Sequence, residues 1–205
     1  ISDWSSDVCS SDLWLFMAGK GVYRYKTGMK AAERVKLSLE ELSGGGITSM
    51  VECDEGILMA YDDGTLSCID KEKLELKWVN RDIPAELETD EVNTFDLFAD
   101  SDGRVWVYSV IGVWIYDLPR KTWELRSPRS DTYNIVRALA QDKYGNIWVG
   151  RDQDGIDVID KNRQHTHLAN DPNNERTLSN NTITSLYEDV AGTMWVGTYK
   201  KGVSY

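Results

Sequence analysis

Apolar and polar residues come in short bursts along this chain, and each burst closes on a turn signal. The clearest stretch begins at Ile135. Ile135-Val-Arg-Ala-Leu-Ala-Gln141 is nearly continuous in apolar residues, as a strand buried on both faces should be. Asp142-Lys-Tyr-Gly145 follows as a tight turn, in which Asp can bond its own backbone and Gly supplies a positive φ. Asn146 to Gly150 reads as a second strand, Arg151-Asp-Gln-Asp-Gly155 as a turn, and Ile156-Asp-Val-Ile-Asp160 as a third strand with partial alternation. After Lys161-Asn-Arg163, the polar run Gln164-His-Thr-His-Leu168 suits a fourth strand on an outer edge.

The unit recurs. Asp142-Lys-Tyr-Gly145-Asn-Ile-Trp148-Val-Gly150 is matched by Asp189-Val-Ala-Gly192-Thr-Met-Trp195-Val-Gly197, by Asp100-Ser-Asp-Gly103-Arg-Val-Trp106-Val107 and, more weakly, by Cys53-Asp-Glu-Gly56-Ile-Leu-Met59-Ala60. The turn glycines Gly56, Gly103, Gly145 and Gly192 are spaced by roughly 42–47 residues, a period that marks propeller blades and related arrays. The pattern predicts an all-β fold, a β-propeller fragment of four-stranded antiparallel blades, about three full and two partial, belonging to a larger ring. The divisions are 14–45 (partial), 46–80, 92–127, 134–169 and 182–205 (partial), all within one propeller domain. Inner strands are expected at Ile47–Glu52, Thr94–Ala99, Ile135–Gln141 and Ile183–Glu188, and outer strands at Glu33–Leu39, Leu74–Val79, Thr122–Leu125 and Gln164–Leu168. Trp106, Trp148, Trp195 and Met59 share one place in the repeat, where a large side chain fills the gap between neighbouring sheets.

Composition narrows the function. Of 205 residues, 41% are hydrophobic and 28% charged, which is ordinary for a globular chain. No apolar run approaches the ~18 residues that span a bilayer, and the longest, Leu13 to Ala18, lacks the basic flank of a signal peptide. The net charge of −11 disfavours nucleic acid and anionic membrane surfaces as partners. The opening stretch Asp3-Trp-Ser-Ser-Asp-Val-Cys-Ser-Ser-Asp-Leu13 matches no blade element and reads like a translated sequencing adapter, so residues 1–13 are expected to be non-native or unstructured. Of the remaining cysteines, Cys53 and Cys68 fall on strands flanking a third, roughly 9–10 Å apart at about 4.8 Å per neighbour. A disulfide wants Cα atoms within about 7 Å, so both are expected as free thiols.

The sequence Thr177-Leu-Ser-Asn-Asn-Thr-Ile-Thr-Ser-Leu-Tyr-Glu-Asp189-Val-Ala-Gly-Thr-Met-Trp-Val-Gly-Thr198 resembles the two-component regulator propeller repeat, and Asn170-Asp-Pro-Asn-Asn-Glu-Arg176 resembles its inter-blade linker. The resemblance runs from Trp14 to Tyr205. It is fair at Asp100–Asp117, where Tyr108 stands in place of the family's usual glycine, and weak at Cys53–Asp70, where Met59 replaces tryptophan. It implies the extracytoplasmic, periplasmic sensor region of a hybrid two-component histidine kinase or related receptor. Relatives in gut Bacteroidetes sense glycan fragments, and the kinase and other output segments are expected outside this sequence. Its partners would be the rest of the receptor, an oligosaccharide or other polar small ligand, and a second copy in a homodimer.

Strand direction separates two faces. The Asp-x-x-Gly turns share one short, uniform face. The inter-blade loops Asn80–Asn93, Ser127–Asn134 and Asn170–Asn181 share the other with the second-to-third strand loops Tyr61–Gly64, Ser109–Gly112, Arg151–Gly155 and Tyr199–Gly202. Variable loops on a rigid scaffold are where binding tends to lie. Arg151, Asp152, Gln153, Tyr199, Lys200 and Lys201 there offer donors, acceptors and an aromatic ring for a sugar, against the plainer reading of solvated turn residues. Catalytic chemistry is not evident, and the chain is read as no enzyme, with no cofactor and no metal site. His165 and His167 share a strand face but lack a third ligand, and a calcium loop starting at Asp100 would need Glu where Ile111 stands. Asp96, Arg137 and Glu188 are scattered along inner strands. A protein-interaction or dimerisation scaffold is the alternative reading, and a secreted propeller lyase or hydrolase a further one.

Overall fold

The computed structural model describes residues 12–17, 20–26, 29–37, 46–82, 94–110, 112–127 and 135–205. These form antiparallel sheets, with no helix among the described residues. The first sheet joins β1 (Asp12–Met17), β2 (Gly21–Lys26) and β3 (Glu33–Arg34). The second joins β4 (Ile47–Cys53), β5 (Gly56–Tyr61), β6 (Leu66–Asp70) and β7 (Glu75–Asn80). The third holds β8 (Asp96–Ala99), β9 (Arg104–Ser109), β10 (Gly112–Asp117) and β11 (Thr122–Ser127), and the fourth β12 (Val136–Gln141), β13 (Ile147–Arg151), β14 (Ile156–Ile159) and β15 (His165–Leu168). The fifth holds β16 (Ile183–Glu188), β17 (Met194–Thr198) and β18 (Gly202–Ser204). Every strand pairs with its chain neighbour, because short turns can link only antiparallel partners. This is the meandering blade of a propeller, as the repeat predicts.

The core lies between the sheets. Val22 and Val35 of the first sheet meet Ile57, Met59 and Ile69 of the second. Leu58, Ala60 and Leu66 of the second meet Val105, Val107 and Trp114 of the third. Trp106, Tyr108 and Ile115 of the third meet Leu139, Ile147 and Val149 of the fourth. Ala140 and Ile156 of the fourth, with Trp148 packed against them, meet Ile183, Met194 and Val196 of the fifth. Successive residues of a strand face opposite sides, so each blade feeds two seams. The inner strands add polar latches: Thr48 Oγ1 donates to the Phe95 carbonyl at 2.7 Å, and Ser49 Oγ accepts the Leu97 N–H at 3.1 Å. Trp78, Tyr116 and Trp123 pack as tilted rings, with centroids 6.0 and 4.9 Å apart.

One expected seam residue moves. Trp106 and Trp148 face the following sheet, whereas Met59, fully buried, faces the preceding one. The cause is turn length. In the fourth sheet Gln141 pairs with Ile147 across a five-residue loop, and Ala140 pairs with Trp148. In the second sheet Glu52, the counterpart of Gln141, pairs with Ile57 across four residues, so Val51, the counterpart of Ala140, pairs with Leu58. One residue fewer flips every later side chain to the other face. Leu58 therefore fills the tryptophan position and Met59 the back seam.

Two boundaries also differ. β1 starts at Asp12, so Asp12 and Leu13 pair with Lys26 and Tyr25 inside the segment set aside by the sequence reading; residues 1–11 lie outside the described residues. The strand expected over Glu33–Leu39 is regular only at Glu33–Arg34. Beyond it Val35 drops into the seam at 2% exposure and the Lys36 N–H reaches across to the Leu74 carbonyl of the second sheet at 3.0 Å.

Candidate functional site

Three of the Asp-x-x-Gly turns are built by one side chain each. Asp142 Oδ1 accepts the N–H groups of Tyr144 and Asn146 at 3.0 and 2.9 Å, and Oδ2 accepts the Trp148 indole N–H at 2.9 Å. Asp189 repeats this with Ala191, Thr193 and Trp195, and Asp100 with Asp102, Arg104 and Trp106. The carboxylate closes the turn and locks the seam tryptophan at once. Burial alone would push the Asp142 carboxyl up, but the bonds from Trp148, Asn146 and Tyr144 outweigh it and hold it below the ordinary range. Adjacent sheets are tied at this face: Gln141 Oε1 accepts the Ser101 N–H at 2.7 Å, and Glu188 Oε1 accepts the Lys143 N–H at 2.8 Å. These groups are consumed by structure.

The opposite face is different. The second-to-third strand loops rise beside the entry to the inner strand of their own sheet: the Asp152 N–H donates to the Ile135 carbonyl at 2.8 Å, and Tyr199 N–H to the Thr182 carbonyl at 2.9 Å. That places both kinds of loop together, as strand direction requires. Asn170–Asn181 is an ordered connection, in which Leu178 enters the seam between the fourth and fifth sheets and Ser179 Oγ bonds Thr198 Oγ1 at 2.9 Å. Most of Asn80–Asn93 and of Ser127–Asn134 lies outside the described residues.

The candidate residues divide into two groups. Arg151 turns inward: it is 8% exposed, and its Nε donates to Asp157 Oδ2 at 2.9 Å. Asp157 Oδ1 in turn lies 2.9 Å from His167 Nδ1, its cross-strand partner. Burial raises the Asp157 carboxyl, and His167 and the Arg151 charge together bring it below the ordinary value. Asp152 accepts from Arg137 Nη2 at 2.8 Å, which joins the loop to the inner strand β12. Gln153, Tyr199, Lys200 and Lys201 are exposed. Gln153 and Lys200 hold equivalent left-handed corners, with φ of 66° and 59°, and Lys200 Nζ lies 4.8 Å from the Tyr199 ring centre.

Sequence reasoning missed Asp157 and Leu178, and it set Arg137 aside as one of the scattered inner-strand charges, whereas it binds Asp152. Asp157 had a signal, a charge within a half-buried strand, which needs a partner. The pair His165 and His167 is exposed on the outer strand, and no cluster of three potential metal ligands occurs among the described residues.

Residues 130–150 and 177–200 match the family model described as two component regulator propeller. No curated protein matches the chain. Among solved structures, the chain is similar to the extracellular domain of a protein described as a hybrid two component system from B. thetaiotaomicron, with TM-score 0.73, 19% identity, and coverage of 95% of this chain and 25% of that one. A second such domain from B. thetaiotaomicron gives 0.71 at 16% identity, covering 98% and 25%. Virginiamycin B lyase from Staphylococcus aureus gives 0.55 at 13% identity, covering 79% and 55%. These likenesses establish the propeller fold; the chain spans a quarter of the length of the two extracellular domains.

Proposed function

We propose that this chain is part of the ligand-binding propeller of an extracytoplasmic sensor in two-component signalling, and that its ligand is an oligosaccharide or similar polar molecule. The observation that carries the reading is the family match over residues 177–200. Fold likeness to extracellular domains of described two-component systems supports it. The contact surface is the loop face bearing Asp152, Gln153, Tyr199, Lys200 and Lys201. Arg151 acts beneath it, holding β13 to β14 through Asp157.

The physics fits sugar recognition. Tyr199, 52% exposed, presents an aromatic ring for stacking, and the neighbouring amide, carboxylate and ammonium groups supply donors and acceptors. The Gln153 and Lys200 corners are backbone-fixed, so their side chains start from defined positions. Calorimetric titration of the complete extracytoplasmic region with a panel of oligosaccharides tests this. Tyr199→Ala is expected to weaken binding of the responding sugar at least about tenfold, a loss of about 1.4 kcal/mol, with an unchanged melting temperature. Undiminished affinity in Tyr199→Ala and in Gln153→Ala would remove the site.

A further inference from the structure

The inner strands β4, β12 and β16 each carry an extra residue at the same place. The register steps over Thr48 in β4, over Arg137 in β12 and over Thr184 in β16. Each bulge lies at the start of its strand, next to the loop face, and a bulge re-aims the side chain it carries. What that side chain then does differs between sheets. The Thr48 hydroxyl is consumed by the scaffold, since it bonds the Phe95 carbonyl of the following sheet at 2.7 Å. Arg137 turns instead to the loop of its own sheet: its Nη2 donates to Asp152 Oδ2 at 2.8 Å, and 48% of its side chain is open to solvent. A guanidinium at a position where a neighbouring blade uses a hydroxyl is more chemistry than the seam requires.

The pair is held on both sides. Arg137 is fixed by the bulge in β12. The Asp152 N–H donates to the Ile135 carbonyl at 2.8 Å, and the Gly155 N–H to the Asn181 carbonyl at 2.8 Å, so both ends of the loop are tied down. Beneath it the Arg151 charge is answered by Asp157. Arg137 and Asp152 therefore present a fixed donor beside a fixed acceptor with no net charge. The guanidinium keeps further N–H donors, and Asp152 keeps Oδ1 as an acceptor. A hydroxyl both donates and accepts, and two hydroxyls on adjacent carbons match such a pair. A ligand carboxylate would instead meet Asp152 beside Arg137, on a chain whose net charge is −11.

We propose that Arg137 and Asp152 together read a vicinal diol of an uncharged sugar, with Arg137 the specificity-determining residue of the loop-face site. Arg137 donates to one hydroxyl, and Asp152 accepts from its neighbour. The inference rests on the sugar-binding reading above and narrows it, from polar molecules in general to neutral saccharides with adjacent free hydroxyls. It also extends the site from the loops onto the start of β12.

Calorimetric titration of the complete extracytoplasmic region with maltotriose, cellotriose, mannotriose and galactotriose provides the test. The tightest of these is then compared with its 2-deoxy and 3-deoxy analogues and with its C6-oxidised uronate form. The neutral sugar is expected to bind more tightly than the uronate, and loss of one hydroxyl of the diol to weaken binding at least about tenfold. Arg137→Ala should weaken the parent sugar to a similar degree and reduce the penalty of the same deoxy change to less than about threefold. Arg137→Lys keeps the charge but not the planar fork, and should fail to restore wild-type affinity. Wild-type affinity in both variants, a deoxy penalty equal in wild type and Arg137→Ala, or tighter binding of the uronate would each overturn the inference. A latch with a structural role alone would leave the deoxy penalty unchanged. The uronate comparison uses the wild type and stands even where a variant folds poorly. Absence of binding by every saccharide would remove the sugar reading itself, and this inference with it.

Discussion

At the residue scale the Asp-to-Trp clasp has the clearest consequences. Asp142 makes bonds to two turn N–H groups and an indole with a single side chain. Asp142→Asn removes acceptor capacity at a half-buried site and is expected to cost about 1–3 kcal/mol in urea unfolding. Asp102→Asn, which loses a pairing with Arg104 at the surface, is expected to cost at most about 1 kcal/mol. The sign of the pH effect follows from the lowered carboxyls of Asp142 and Asp157. A carboxyl depressed by folding adds stability that is complete above its unfolded value, about 3.9, and is lost as pH falls through the lower folded value. The melting temperature should therefore be level from pH 7 to about 5 and fall below about 4, more gently in Asp142→Asn. The Asp and Trp of this clasp are plain in the sequence as a spacing. That the indole N–H closes onto the carboxylate is not, since it depends on how the turn folds back.

At the element scale the second sheet shows what one residue of turn length does. The weak copy aligns by its glycine, yet Gly56 stands opposite Cys53, where the fourth sheet has Asp142 before its turn. From there the alternation is out of step with the other blades. Gly56 carries a φ of +140°, and a Cβ on it would lie 2.1 Å from the Ile69 carbonyl oxygen. Gly202, at φ +79°, would meet nothing within 4 Å. Gly56→Ala is thus expected to destabilise the protein by several kcal/mol, against about 1 kcal/mol for Gly202→Ala, where backbone strain alone is at stake. Equal losses in parallel denaturant titrations would contradict the close approach. Strand existence and order were legible from the bursts of apolar residues, but the seam that Leu58 and Met59 each serve was not. A period of two carries no information about an origin shifted inside a turn.

At the scale of the molecule, stability resides in the seams. Trp106 is 3% exposed between the third and fourth sheets, while Trp195, in the same place of the repeat, is 39% exposed and stacks on Tyr205 at 5.3 Å. Trp106→Ala should cost about 3–5 kcal/mol, as for a buried aromatic, and Trp195→Ala clearly less. A comparable loss at both positions, measured by thermal unfolding, would show that the exposed tryptophan is load-sharing in a way its environment does not suggest. The loop face stands apart from these seams, so binding and stability should separate: Tyr199→Ala acts on the first and Trp106→Ala on the second.

The blade, its four-strand order, the face of short turns and the face of variable loops are written along the chain, because they follow from apolar period, turn chemistry and strand direction. Tertiary structure was needed to show that Arg151 is held inside by Asp157 and that Leu58 rather than Met59 looks forward. Both depend on residues of different strands, and which groups meet there is set by register and turn length. No local pattern records those quantities.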